Sequence, residues 1–395
     1  MLRPFRLLRR FLPLLVGAGV GACVAPFDRQ ELALQGDLLV VNGTVTDQPE
    51  PQTVRLSRVS VIRGLPGRVP VEKATVEVRV DGAQTVTFRE TLPGTYQAPE
   101  GFRGRVGGRY QLRLQLADGR RYESGEEILP AVSPITKTYD RFDPQGIANA
   151  EKTAFTSAHL VYLDTQDPAN ETNFYRWDYT LYELQDWCHA CTQGRYVVFN
   201  RLTNQLVEDC LTDTRLPRTN RYDYPCRTLC WEIIRNPAVN LFADRYTNGQ
   251  PILGRLVGRI PYHQPRPALV EIRQYALTRD AYRFFQLLEN QSQNTGTLAD
   301  TPPAALVGNV RNPSDDRENV VGYFAASGVS VVRYWLDRQN ASGPSVGLYQ
   351  AFNNGEVPQP EPAGFLSEPF GIRTPTAVCK PSETRTPVRP EGWRQ

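Results

Sequence analysis

From Leu38 onward the chain alternates apolar and polar residues with a period of two. Val76, Val78 and Val80 are separated by Glu77 and Arg79, and Leu112, Leu114 and Leu116 by Arg113 and Gln115. Successive side chains of a strand point to opposite faces, so this alternation predicts half-buried strands with one wet face. Candidate strands are 38–46, 53–61, 74–80, 85–90, 96–98, 109–116 and 120–126. Turn signals separate several of them, at Asp81-Gly82, Pro93-Gly94, Gly107-Gly108 and Asp118-Gly119, the last a hairpin signal of the two-residue kind. Short strands at this density read as an immunoglobulin-like β-sandwich over 38–130.

Pro130, Pro134 and Pro144 predict a linker over 131–152, because proline breaks regular elements. A larger β-rich domain is expected over 153–345, with strands at 159–163, 174–184, 255–260, 268–276, 320–325 and 329–336. Tyr175, Trp177, Tyr179 and Leu181 fall on one face of the second of these. One main helix is predicted over about 278–291. Thr278 is its N-cap, Asp280 lies in its first turn, and Ala281, Phe284, Phe285 and Leu288 have helical spacing. Residues 346–395 form a Pro-rich tail that cannot build a core of its own, and a disulfide from Cys379 is what would pin it to the body. The fold class is therefore mainly β, and the length suits two domains.

The N-terminus has a different character. Arg3, Arg6, Arg9 and Arg10 precede Phe11 to Ala22, a run without charge, and small residues lead into Cys23. A basic start, a short apolar stretch and a small-residue cleavage site make a secretory signal peptide, here 1–22, too short for a transmembrane helix. Val20-Gly21-Ala22-Cys23 reads as a lipobox, with Cys23 acylated and 23–37 a lipidated tether. Without the signal arginines the chain holds 41 basic and 42 acidic residues. That balance gives no case for nucleic acid and no polybasic patch, so membrane attachment rests on the lipid.

The remaining cysteines are Cys188, Cys191, Cys210, Cys226, Cys230 and Cys379, most of them in an expected stapled insert at 187–231. An even number in an exported chain favours disulfides, whose connectivity the sequence leaves open. The competing reading is zinc, from Cys188-x-x-Cys191 and Cys226-x-x-x-Cys230 with His189 between the first pair. Disulfides are the favoured reading, and no metal or other cofactor is expected.

Catalytic signatures are missing from the sequence. The only histidines are His159, His189 and His263, and no zinc-protease, nucleophile-elbow or P-loop motif occurs. His159 reads as a packed or surface residue of a strand and His263 as a loop residue. Asp164 and Asp167 with Asn170 offer oxygen ligands of the kind calcium takes, but without EF-hand spacing, and read as a side-chain-stabilised turn. Tyr175, Trp177, Tyr179 and Trp187 are the candidate ligand-binding aromatics, for a glycan or a peptide. The expectation is a non-enzymatic protein. The alternatives are a structural or adhesive envelope protein and, last, a hydrolase with a cryptic carboxylate pair.

The order of segments resembles the Bacteroidota lipoproteins grouped as domain of unknown function 4249. The resemblance is carried by Cys23, Leu39-Val40-Val41-Asn42-Gly43, Gly94-Thr95-Tyr96, Gly108-Arg109-Tyr110-Gln111-Leu112, Asn173-Phe174-Tyr175-Arg176-Trp177, Gln274-Tyr275-Ala276-Leu277-Thr278, Gly308-Asn309-Val310 and Val321-Gly322-Tyr323-Phe324. It implies an outer-membrane lipoprotein, often accompanied by a TonB-dependent receptor, with no established activity. Members tend to carry two close C-terminal cysteines, where this chain has Cys379 alone.

Overall fold

The period-two segments form strands almost where the pattern places them. In the computed structural model the described residues are 38–62, 65–169, 171–236, 238–292, 306–362, 367–368 and 371–394. Cys23, the expected leader and the tether lie outside them. The first strands are β1 (Leu38–Thr46), β2 (Thr53–Ile62), β3 (Leu65–Pro70), β4 (Thr75–Val80), β5 (Gln84–Leu92), β6 (Thr95–Gln97), β7 (Arg109–Gln115), β8 (Arg121–Ser124) and β9 (Glu127–Ile128). Then come β10 (Ile135–Ala148), β11 (Phe155–Gln166), β12 (Phe174–Leu184), β13 (Trp187–Thr192), β14 (Gly194–Asn200), β15 (Gln205–Thr212) and β16 (Arg221–Pro225). β17 (Trp231–Arg235), β18 (Asn240–Ala243), β19 (Pro251–Pro261) and β20 (Ala268–Ala276) lead to helix α1 (Arg279–Ser292). The rest is β21 (Val310–Arg311), β22 (Val320–Ser327), β23 (Val329–Leu336), a short α2 (Leu348–Phe352), β24 (Ser367–Glu368), β25 (Gly371–Arg373) and β26 (Arg385–Thr386).

The fold is mainly β, but the first unit is one nearly closed, barrel-like sheet, and the expected immunoglobulin-like sandwich does not describe its strand order. Its path runs β21-β8-β7-β4-β5-β6-β2-β1-β22, with β3 beside β2 and β9 beside β7. β22 pairs in parallel with β1, and an isolated bridge from Val307 to Val321 brings the two ends of the path together. Alternation marks a half-buried strand in a sandwich and a barrel alike; closure depends on a segment almost 200 residues downstream of β8, and no local pattern announces it.

Val41, Val54, Val76, Val78, Leu112 and Phe324 are fully buried inside this sheet. Each such side chain contributes about 1.5–3 kcal/mol by leaving water. The buried tyrosines keep their hydroxyls satisfied: that of Tyr96 donates to the Val71 carbonyl and accepts from the Ala74 amide, each at 2.9 Å. The β7–β8 hairpin closes through Leu116 and Arg120, leaving three residues in the loop. Gly119 ends that loop at φ +89°, a left-handed conformation that favours glycine and suits three-residue hairpins.

The expected linker is largely a strand. β10 runs through it and pairs with β11, and its register slips between Asp143 and Ile147, around Pro144. A bulge needs no ladder bond from the proline nitrogen, which is why the proline does not end the strand. β10, β11 and β19 form a three-stranded sheet facing the sheet β23-β20-β12-β17-β26, and Val161, Leu163, Trp177, Leu181, Val270 and Ile272 form the core between them. β22 continues past Gly328 directly into β23, so one run of chain closes the barrel and then edges the second sheet. α1 begins as predicted: Thr278 Oγ1 accepts from the Ala281 amide at 3.2 Å. Its buried Ala281, Tyr282 and Phe284 pack with Phe174 and Tyr275 of the second sheet and Tyr323 of the barrel.

Candidate functional site

The cysteine-bearing segment folds into a separate small module. β13 pairs with β16, and β15-β14-β25-β24 make a short sheet beside them. Its core is Tyr196, Tyr224, Ala377 and the sulfurs, too small to hold these long connections by apolar burial alone. Three disulfides supply the rest: Cys188–Cys226, Cys191–Cys210 and Cys230–Cys379. The last pins the Pro-rich tail to β17, where β26 also adds a strand. Trp393 completes the attachment by packing edge-on against Trp231 and Trp335, with ring centroids 5.7 and 5.2 Å away. The spacings that suggest zinc are thus explained by sulfurs gathered for bonding to one another.

A groove of about 870 Å³ opens where the paired strands β13 and β16 meet the segment after α2, lined by Thr192, Pro217, Asn220, Arg221, Glu356 and Gln359 among others. Arg221 organises this wall. Its Nε donates to buried Asp223 at 3.1 Å, and its Nη2 donates to the Tyr349 hydroxyl at 2.8 Å and Asn353 Oδ1 at 2.9 Å. Glu356 lies 3.3 Å from Nη1. Burial and the nearby Asp223 carboxylate hold the Tyr349 hydroxyl well above its usual pKa, so it stays protonated and accepts from Arg221. The groove is polar and preorganised, with its one lining cation already paired.

The candidate aromatics are scattered by the fold. Tyr175 and Trp177 are 1% and 0% exposed, so they belong to the core and present no ring to a ligand. Trp177 Nε1 donates to Gln274 Oε1 at 2.8 Å, and the Arg255 guanidinium lies 4.9 Å over its ring. Period two places them on one face; the three-stranded sheet β10-β11-β19 then covers that face. Tyr179 is half-buried beside Gly258 and lines a second recess of about 330 Å³ with Asn236, Leu256 and Arg259. Trp187 alone approaches the groove, with its ring 5.7 Å from that of Tyr349. Arg221 and Tyr349 went unnoticed at the sequence level because they lie 128 positions apart and match no motif.

The histidines assemble no nucleophile. His159 is fully buried, with Nδ1 2.9 Å from Asp140. Burial alone would raise the Asp140 carboxyl, but hydrogen bonds from His159, Tyr334 and Asn340 outweigh it and hold it at about 2. His189 Nε2 lies 3.3 Å from Asp209, which also pairs with Lys380 at 3.0 Å, and burial lowers its pKa. His263 packs its ring near Phe352, and burial lowers it as well. Among the described residues no histidine is hydrogen-bonded to a serine, threonine or free thiol, and no helix is long and apolar enough to cross a membrane.

These features define a disulfide-bonded, mainly β protein with a polar groove on its stapled module. The chain belongs to the DUF4249 family (domain of unknown function), whose profile matches residues 25–333. No curated protein and no solved structure matches it. The match ends before α2, so one wall of the groove lies within the family domain and the other beyond it.

Proposed function

We propose that this protein is a lipid-anchored lipoprotein of the bacterial outer membrane that works by binding. In this reading Cys23 carries the lipid, and the groove around Arg221 and Tyr349 captures a ligand or docks on a TonB-dependent transporter. The observation that carries the reading is the groove itself: a preorganised hydrogen-bonding surface on a module held by three disulfides. Disulfide density of this kind belongs to oxidising compartments, in agreement with the lipobox at Val20-Gly21-Ala22-Cys23. A rigid surface loses little conformational entropy on binding, which suits capture.

The test is a pull-down from detergent-solubilised outer membrane with the tagged full chain, alongside a Thr219→Arg variant that fills the groove. Recovery of a barrel receptor by the wild type and its loss in the variant supports the reading. Equal recovery by both moves the docking surface elsewhere, and recovery of no barrel protein sinks the transporter partnership. Labelling with a palmitate analogue that persists in Cys23→Ala would refute the anchor.

A further inference from the structure

The corner where the loop after β11 meets the loop after β18 gathers side-chain oxygens out of reach of water. Asp167 follows β11, Asn173 precedes β12 and Asp244 follows β18. The register places Phe174 opposite Ala243, so Asn173 and Asp244 continue the same pair of strands, and the Asp244 amide donates to the Asn173 carbonyl at 3.2 Å. Asp167 is 1% exposed and Asp244 0%. Asp167 has partners: Oδ1 accepts from the Tyr175 hydroxyl at 2.6 Å and Oδ2 from the Gly249 amide at 2.8 Å.

Asp244 does not. No donor reaches either of its carboxylate oxygens in hydrogen-bonding geometry, and the buried Oδ1 of Asn173 has none. The Asn173 main-chain amide lies nearby, and the Asp167 carboxyl faces that of Asp244. A buried carboxylate with no donor and a second carboxylate before it is costly, unless a cation joins them.

We propose that Asp167, Asn173 and Asp244 form a calcium site that ties the β11–β12 loop to the β18–β19 loop. All the available donors are oxygens, which selects a hard cation over zinc. Asp244 offers both carboxylate oxygens, and Asp167 and Asn173 add one each. Calcium accepts such bidentate, irregular oxygen sets and completes them with water, whereas magnesium demands a near-regular octahedron and keeps most of its own water. The site is independent of the groove and of the lipid anchor.

The experiment uses the purified full chain after treatment with a chelator, unfolded thermally with and without calcium chloride. Terbium provides a second readout, since Tyr175 is bonded to a proposed ligand and can sensitise its luminescence. Saturating calcium is expected to raise Tm by about 3–5 °C. One equivalent of terbium should be sensitised and then displaced by calcium. Asp244→Asn should fold, unfold at a temperature indifferent to calcium, and sensitise no terbium. Asn173→Ala should fold and bind calcium at least about tenfold more weakly, one lost ligand being worth at least 1.4 kcal/mol. A wild-type Tm that ignores calcium, together with silent terbium, would overturn the proposal in favour of two carboxyls sharing a proton. An equal response to magnesium would overturn the choice of calcium.

Discussion

The Asn309 side chain bonds both backbone groups of Phe324: Nδ2 donates to the carbonyl at 2.8 Å and Oδ1 accepts from the amide at 2.9 Å. It thereby acts as one residue of a strand and joins the β21 end of the barrel path to β22, where the ladder itself is reduced to the Val307–Val321 bridge. Asn309→Ala leaves two buried groups of Phe324 without partners, at about 1–3 kcal/mol each. Chemical denaturation should show a loss of about 2–5 kcal/mol. Asn309→Asp is expected to be at least as harmful, because it keeps the acceptor, loses the donor and sets a carboxylate near Glu127.

Gly308 and Gly322 allow this closure by close backbone approach. A Cβ on Gly308 would stand 1.5 Å from the Gly322 carbonyl oxygen, and Gly322 itself lies at φ +98°. Backbone cannot yield to that overlap as a flexible side chain would. Gly308→Ala should abolish soluble folded protein, while Gly125→Ala, at a glycine with open space around it and no left-handed φ, should retain it at normal yield.

Arg338 and Glu183 form an ion pair with both side chains 0% exposed, and Arg338 Nη1 also donates to the carbonyls of Gln264 and Arg266 at 2.8 and 3.0 Å. Removing one partner strands the other charge in the interior. Arg338→Met should cost about 3–5 kcal/mol, and the double variant Glu183→Gln/Arg338→Met should recover much of it. A double-mutant cycle by urea denaturation reads this directly.

Asp140 makes stability depend on pH in acid. Its carboxyl falls from an ordinary 3.8 to about 2 on folding, so the ionised form is favoured by the fold. The contribution is fully present above about pH 4 and is lost as pH falls towards 2, amounting to about 2 kcal/mol at neutrality. Asp140→Asn should therefore be less stable at pH 7, with the gap to wild type closing between pH 4 and pH 2. A gap independent of pH would remove the charge from the explanation.

Cys230–Cys379 closes the longest of the three disulfide loops, with a separation of 149 residues. Cys379→Ala with Cys230→Ala should cost about 2–5 kcal/mol and free the tail. Limited proteolysis should then cut beyond residue 374 at a faster rate, and Trp393 fluorescence should shift to the red as its ring leaves Trp231 and Trp335.

Much of the architecture was legible from local pattern. β1 runs from Leu38 to Thr46 as the alternation indicates, and Thr278 caps α1. These features depend on near neighbours, whose chemistry is written in the order of residues. Pro144 misled because a proline forbids one ladder bond, and a bulge needs none. Tyr175 and Trp177 misled because period two identifies a face without saying what covers it.

The chain order alone determined that this protein is mainly β, where its main helix lies, and which six cysteines are available for pairing. Only the tertiary structure decided that the first sheet closes, since closure needs Asn309 and β22 to return across nearly the whole domain. It also chose one disulfide pattern, set Arg221 against Tyr349, and buried Asp244 before Asp167. Each of these depends on groups distant in sequence meeting at angström distances, and the position of one such group does not fix the place of the other until the intervening strands have paired.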